Sequence, residues 1–216
     1  RIVLEEKGTL DKFIGDAVMA IFNAPLDVPG HAEHACTAAV RMMEELKRLN
    51  VGFAERGMHT LDIGVGINTG PAVVGNMGAD IRFDYTAIGD SVNLASRLEG
   101  LNKYYGSHIL VSEDTHKQVS SGRFTFREVD RVRVKGKHLP IVMYELMITN
   151  LELLPRFEEG LEKYRSQQFA EAQLIFDQLV TDYSDGPSRL YSSRCTDYLE
   201  TPPPTDWDGV YTAKSK

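Results

Sequence analysis

The chain has 216 residues, of which 42% are apolar and 25% are charged, and this composition is typical of a globular protein. A formal net charge of −7 argues against a nucleic-acid groove, because phosphate neutralisation requires clustered Lys and Arg. The longest apolar run, residues 17–22, is too short to span a bilayer, and no signal peptide is visible. The two cysteines, Cys36 and Cys195, predict no disulfide framework, which fits a reducing cytoplasm.

The first predicted element is a β-hairpin over residues 9–22. Two β-prone runs flank Gly15 and Asp16, a dipeptide that suits a turn with positive φ. Residues 24–30 are punctuated by Pro and Gly and therefore predict a loop.

A long amphipathic helix is predicted from His31 to about Arg56, because apolar residues recur there with helical period. The predicted buried stripe consists of Ala35, Ala39, Met42, Met43, Leu46 and Leu49. His31 and His34 have a spacing that can serve a metal. No Cys, Asp or further His accompanies them at ligand spacing, which favours exposed residues of the first turn.

Residues 61–68 and 71–77 predict two further strands, joined by a turn at Thr69 and Gly70. The segment GVGINTG is superficially similar to a dinucleotide-binding fingerprint. Its spacing differs, however, and a Pro-led apolar strand follows where a helix should begin, so a Rossmann fold is rejected. The chain also contains no P-loop pattern.

Residues 83–100, FDYTAIGDSVNLASRLEG, predict a strand, a tight turn and a helix. Asp90 or Ser91 is expected to cap the helix, because either side chain can accept from first-turn amides. Four apolar residues at helical spacing should face the core: Leu94, Ala95, Leu98 and Leu101. Asn93 and Arg97 then share a neighbouring face, which suits stabilisation of a phosphoryl transition state but is also common in solvated surface pairs.

The rest of the first domain predicts a strand over residues 108–111, a helix capped by Ser112, and two closing strands over 124–136 and 140–146. Because hairpins interrupt the alternation of helices and strands, the pattern predicts an α+β fold, with helices layered on one face of a mostly antiparallel sheet.

Composition changes after Met147. Residues 149–185 predict two short amphipathic helices that resemble a single tetratricopeptide repeat, although the spacing is one residue short. Such a unit cannot bury its own apolar face, so it should dock on the first domain or on a protein partner. Residues 186–216 contain a Pro-rich run and predict an extended tail, in which Trp207 either anchors the tail or is exposed.

The segment YTAIGDSVNLASRLE resembles, nearly letter for letter, class III nucleotidyl cyclases, and the resemblance extends from about residue 3 to about residue 147. It implies a ferredoxin-like catalytic domain over residues 1–148. It also implies that ATP is converted to 3′,5′-cyclic AMP and pyrophosphate, with two divalent cations, Mg²⁺ or Mn²⁺, assisting attack of the ribose 3′-hydroxyl on the α-phosphate.

The resemblance also assigns roles to individual residues. Asp16 matches the second metal carboxylate of the family, and the first lies upstream of Arg1, on a strand and helix that the chain lacks. Residues 1–216 alone are therefore expected to be inactive and poorly stable. Lys12 and Thr86 match the pair that reads adenine, whereas a guanylyl enzyme typically carries Glu with a small residue. Asp84 lies near Thr86 in the sequence but does not match the base-reading position.

Asn93 matches the residue that orients the ribose, and Arg97 matches the one that meets charge on the α-phosphate. Lys135 matches a lysine that binds the outer phosphates. Without the resemblance, each would be an ordinary surface residue. Where some relatives place a phosphate-binding Arg after the turn at Gly70, this chain has Pro71.

Within the family each active site forms between two catalytic domains, and this chain carries residues of both sets. A symmetric homodimer is therefore expected. Two alternatives remain: a guanylyl cyclase, and a non-catalytic cyclase-like module whose C-terminal helices bind a protein partner. The arrangement also resembles that of bacterial sensors anchored in the inner membrane, with a cytoplasmic catalytic domain.

Overall fold

The computed structural model describes residues 1–79, 82–132 and 141–210. The first part of the chain contains, in order, α1 (Ile2–Glu5), β1 (Thr9–Ile14), β2 (Ala17–Ile21), α2 (His31–Glu55), β3 (Val65–Ile67), β4 (Val73–Ala79), β5 (Arg82–Ile88), α3 (Asp90–Tyr105), β6 (Ile109–Ser112), α4 (Glu113–Gln118), β7 (Thr125–Val132) and β8 (Ile141–Met147). A short 3₁₀ helix, Leu151–Leu153, precedes α5 (Leu154–Arg165), α6 (Phe169–Tyr183) and α7 (Gly186–Glu200). The predicted α+β class is confirmed.

Strand pairing is mostly antiparallel, as predicted. Within the described ranges, the main sheet has the order β3-β6-β8-β7, with only β3 and β6 parallel. The predicted hairpin at residues 9–22 is present as β1 and β2. The strands predicted at 61–68 and 71–77 form as β3 and β4, but they do not pair with each other. Strand β3 belongs to the main sheet, whereas β4 pairs with β5, where Gly75 faces Thr86.

Helices cover both faces of the main sheet, so the prediction of a single covered face is wrong. Ile109 and Val111 of β6 pack with Cys36 of α2, whereas Leu110, between them, packs with Leu98 of α3. Successive side chains of a strand point to opposite faces, and all three of these positions on β6 are fully buried. The sheet is therefore sandwiched between α2 and α3.

Helix α3 follows β5 directly through Gly89, which is the N-cap residue, with φ of 148°. No side chain caps the helix, so the prediction that Asp90 or Ser91 does so is wrong. Asn68 contacts the first turn without capping it, since its Nδ2 donates to the Ser91 carbonyl oxygen over 2.9 Å. By contrast, the predicted cap of α4 is present, since the Ser112 side chain accepts from the Thr115 amide.

Gly66 allows α3 to lie directly against β3. A Cβ atom at this position would stand 2.2 Å from the Ala95 carbonyl oxygen and 2.3 Å from the Glu99 amide nitrogen, both of which belong to the α3 backbone. Backbone atoms cannot move aside as a flexible side chain can. Gly66 therefore sets the spacing between the sheet and α3.

The Gly66→Ala substitution is expected to lower the free energy of unfolding by about 1–3 kcal/mol, because it overpacks this contact. Gly100→Ala, on the same helix but with open space around it, is the matched control and should stabilise the protein by about 0.5–1 kcal/mol. Urea denaturation measures both changes. Equal midpoints for the two variants would contradict the role given to Gly66.

The C-terminal region is a three-helix unit with its own core. The predicted helical pair is present as α5 and α6, but the expected extended tail is wrong over its first part, because α7 occupies Gly186–Glu200. The shared core consists of Met147, Leu153, Phe157, Leu161, Tyr164, Phe169, Ala172, Ile175, Phe176, Leu179, Tyr191 and Cys195. Trp207 packs beside Tyr164, with ring centroids 5.3 Å apart, so it anchors the tail.

This unit docks on β7 through buried charges. Arg127 donates to both carboxylate oxygens of Asp185, over 3.0 and 2.8 Å, and also to Glu145. Although burial opposes ionisation, hydrogen bonds from Arg127 and Ser188 hold the pKa of Asp185 below its ordinary value. The predicted docking on the first domain is thereby observed.

A second buried group links the unit to α3. The Asp130 carboxylate on β7 accepts from the Tyr105 hydroxyl of α3, over 2.6 Å, and from the Arg194 guanidinium of α7, over 2.7 Å. Where α3 ends, a Cβ on Gly186 would lie 2.3 Å from the Gly106 carbonyl oxygen. The C-terminal unit therefore holds the end of the helix that carries Asn93 and Arg97.

No helix in the described part of the chain is long and apolar enough to cross a membrane. Cys36 and Cys195 are both buried and free.

Candidate active site

Lys12 and Thr86 are brought together by a third residue, Asp11. Thr86, on β5, is buried, and its hydroxyl donates to Oδ2 of Asp11 over 2.5 Å. The Lys12 ammonium lies 3.6 Å from the other oxygen of the same carboxylate. Two predicted site residues from distant parts of the sequence are therefore neighbours. The sequence analysis did not single out Asp11. Its position next to Lys12, a predicted site residue in a strand, could have indicated it.

Asn93 and Arg97 both lie on α3 and are exposed. Their separation of four residues places them on one face of the helix, as predicted. The helix begins directly after the strand that carries Thr86, so a hydroxyl, an amide and a guanidinium occur along one continuous β5–α3 segment. The predicted site residues Thr86, Asn93 and Arg97 thus lie in chain order on two consecutive elements.

Asp16 lies in the turn between β1 and β2 and is exposed. Gly15 before it has φ of +63°, which confirms the predicted turn. Among the described residues, no hydrogen bond or ion pair uses the Asp16 carboxylate. This carboxylate is therefore available to a cation or to a ligand.

A cation site at Asp16 is chemically reasonable but needs further ligands. Mg²⁺ is commonly bound by one or two carboxylates together with substrate phosphates and water. The described residues contain no group of three or more Asp, Glu, His or Cys side chains that could hold a metal by themselves. The further oxygen ligands would therefore have to come from outside this set of residues.

The alternative metal pair, His31 and His34, is not supported. Nδ1 of His34 lies 3.2 Å from Glu6, which also accepts from Arg41 over 2.6 Å. The hydrogen bond from Arg41 lowers the pKa of the Glu6 carboxyl. His34 thus belongs to a polar cluster between α1 and α2.

Lys135, the predicted outer-phosphate ligand, lies outside the described residues. Arg131, four residues earlier in the chain, donates to Glu128 over 2.9 Å. Glu128 also accepts from Arg165 of the C-terminal unit. Arg131 is therefore engaged in a structural ion pair.

Large apolar side chains are exposed on the same hairpins that carry the candidate site. On the first hairpin, Phe13 is 70% exposed, Ile14 57% and Val18 53%. On the second, Val73 is 62% exposed and Ile88 51%. Large exposed apolar side chains of this kind are candidates for contact with another protein surface.

Residues 3–148 match a sequence model described as the adenylate and guanylate cyclase catalytic domain. A curated protein of Dictyostelium discoideum, "Adenylate cyclase, terminal-differentiation specific", is 37% identical over 212 residues, covering 92% of this chain and 10% of that protein. This alignment is longer than the family match and therefore extends into the C-terminal helices. The chain spans between 10% and 28% of the length of the first curated relatives it matches.

Solved structures give the same picture of the fold. The crystal structure of the adenylyl cyclase CyaB from P. aeruginosa matches with a TM-score of 0.61 and 36% identity, over 69% of this chain and 76% of that one. The guanylyl cyclase Cya2 matches with a TM-score of 0.59 and 32% identity, over 67% and 72% respectively. Overall similarity therefore does not distinguish the two substrates.

Proposed function

We propose that this chain, which belongs to the adenylate and guanylate cyclase catalytic-domain family, is the catalytic part of an adenylyl cyclase. The reaction is conversion of ATP to 3′,5′-cyclic AMP and pyrophosphate. The observation that carries the choice of ATP is the contact of Lys12 and Thr86 with one buried carboxylate, which places an ammonium beside a hydroxyl.

Lys12 and Thr86 have the hydrogen-bonding capacity that adenine needs. The N1 atom of adenine accepts, which suits the Lys12 ammonium, and its 6-amino group donates, which suits the oxygen of the Thr86 hydroxyl. Guanine presents the opposite pattern, a donor at N1 and an acceptor at the 6 position. The described pair therefore favours adenine.

Asn93 and Arg97 act on the sugar and the reacting phosphate. The Asn93 amide orients the ribose so that the 3′-hydroxyl is in line with the α-phosphorus. The Arg97 guanidinium donates to the α-phosphate oxygens, where negative charge increases in the transition state. We also assign Lys135 to the outer phosphates.

Asp16 holds the divalent cations, Mg²⁺ or Mn²⁺, with the nucleotide phosphates as further ligands. Cations held there would supply Lewis-acid chemistry, lowering the pKa of the 3′-hydroxyl and neutralising charge on the triphosphate. We make this proposal for the intact protein. For residues 1–216 alone we expect no turnover, because the resemblance assigns only one of two metal carboxylates to them.

Two copies of the chain are proposed to share each site, with Asp16 from one copy and Lys12, Thr86, Asn93 and Arg97 from the other. The exposed apolar side chains of the two hairpins support this arrangement, because a second copy would cover them. The reciprocal set, Asp16 from the second copy with the other four residues from the first, would form a second, equivalent site.

The alternative to an enzyme is a non-catalytic interaction module. The C-terminal unit binds β7 of its own chain through Arg127 and Asp185, so this surface is not available to a partner. A partner would have to use the outer surface, where Leu174 is 72% exposed. The proposed location is the cytoplasm, which suits two free buried thiols, and a membrane-anchored parent remains part of the proposal.

A product assay with ATP and GTP tests the proposal. We expect the intact protein, with Mn²⁺ or Mg²⁺, to form cyclic AMP, with a kcat/KM for ATP at least about tenfold above that for GTP, the ratio that one base-reading hydrogen bond provides. Cyclic GMP as the main product would support the guanylyl alternative. No product from a folded dimer would support the interaction module.

A further inference from the structure

We infer that Asp11 is a specificity-determining positioning residue, which sets the direction of the Thr86 hydroxyl so that the base pocket accepts a 6-amino group and rejects a 6-oxo group. The inference rests on the proposed function, because it explains how an adenine site keeps guanine-like bases out. It concerns a residue that does not itself contact the nucleotide.

The burial of Asp11 is the first observation. Its side chain is 1% exposed, whereas Leu10, the apolar residue before it, is 40% exposed. Burying a carboxylate is unfavourable unless donors surround it. A strand that buries its Asp and exposes its Leu therefore uses that Asp for something other than core packing.

The backbone supports the same conclusion. Leu10 pairs with Ala20 and Lys12 with Met19, so Asp11 has no partner of its own and forms a β-bulge. A bulge changes the direction of the side chains that follow it and is common beside active sites. Here it turns Asp11 toward Thr86 and leaves the Lys12 ammonium within 3.6 Å of the same carboxylate.

The direction of the hydrogen bond between Thr86 and Asp11 determines which ligand groups Thr86 can bind. A hydroxyl has one proton, and Thr86 donates it to Asp11 over 2.5 Å. The Thr86 oxygen therefore has only lone pairs left for a ligand. It can accept from a 6-amino group, but it cannot donate to a 6-oxo group.

The second oxygen of Asp11 explains why the carboxylate cannot be replaced by an amide. Asp11 Oδ1 is buried without a hydrogen-bond partner among the described residues, and its nearest cation is Lys12. In Asp11→Asn, the amide oxygen would face the Lys12 ammonium, which only donates. The amide NH₂ would then donate to Thr86 and free the Thr86 proton for the ligand.

The test compares ATP with inosine triphosphate, in which a 6-oxo group replaces the 6-amino group. For Asp11→Asn in the intact protein, we expect kcat/KM for ATP to fall and that for inosine triphosphate to rise, so that their ratio falls about tenfold. In a Thr86→Val background, Asp11→Asn should change this ratio less than about twofold, because the hydroxyl through which it acts is absent. Thr86→Ser, which keeps the hydroxyl, should retain the wild-type ratio.

Displacement of a fluorescent ATP analogue measures the corresponding ratio of dissociation constants for ATP and inosine triphosphate. An equal loss for both nucleotides in Asp11→Asn would contradict the inference, because a purely structural role predicts it. If that variant does not fold, Thr86→Val decides: an unchanged ratio contradicts the inference. A wild-type protein that prefers GTP would instead overturn the adenylyl assignment, before any variant is compared.

Discussion

An Arg97→Ala variant is expected to lose about a hundredfold to a thousandfold in kcat, the effect of removing one preorganised donor from a developing negative charge. The guanidinium is exposed on α3, and we propose that it donates to the α-phosphate. KM for ATP should change much less, because the interaction strengthens in the transition state. Steady-state assays of the intact protein measure both constants.

Lys103→Ala is the matched control for Arg97→Ala. Lys103 is an exposed cation in the last turn of the same helix, so its removal changes net charge and helix composition in the same way. Its kcat should remain within about twofold of wild type, as expected for a surface change away from the site. Equal losses in the two variants would show that Arg97 acts only through helix stability.

The Arg194→Met variant is expected to lower the free energy of unfolding by about 3–5 kcal/mol, because it leaves the buried Asp130 carboxylate without its cation. Asp130 is 2% exposed and, among the described residues, would keep only the Tyr105 hydroxyl as a side-chain donor. Urea denaturation of the intact protein, followed by circular dichroism, measures the change.

Arg189→Met on the same helix, α7, is the control for this prediction, because Arg189 is exposed. Its stability should remain within about 0.5 kcal/mol of wild type. A loss below 1 kcal/mol in Arg194→Met would contradict the account of the docking surface, as would equal losses in the two variants.

Local patterns predicted most elements of the fold. The two β-prone runs at residues 9–22 and the turn at Gly15 are local features, and the hairpin forms as expected. Likewise, the spacing of Asn93 and Arg97 on α3 follows from helical period alone. The family resemblance, which the match over residues 3–148 confirms, supplied the roles of these residues but not their contacts.

Long-range packing accounts for what the sequence did not predict. The contact between Asp11 and Thr86 joins residues 75 positions apart, and it depends on a bulge that no composition signal marks. Helix α7 was missed because its buried face includes Arg194 and Ser188, which a hydrophobicity pattern assigns to the surface. Their burial is possible only because Asp130 and Asp185 lie opposite them.

Mixing two inactive variants tests the shared active site most directly. Asp16→Ala removes the metal carboxylate, Arg97→Ala removes the transition-state donor, and each intact protein alone should form almost no cyclic AMP. In a mixed dimer one site retains both residues, so equal amounts should recover about a quarter of wild-type activity. A mixture that forms no more cyclic AMP than its two components would contradict a site shared between two copies.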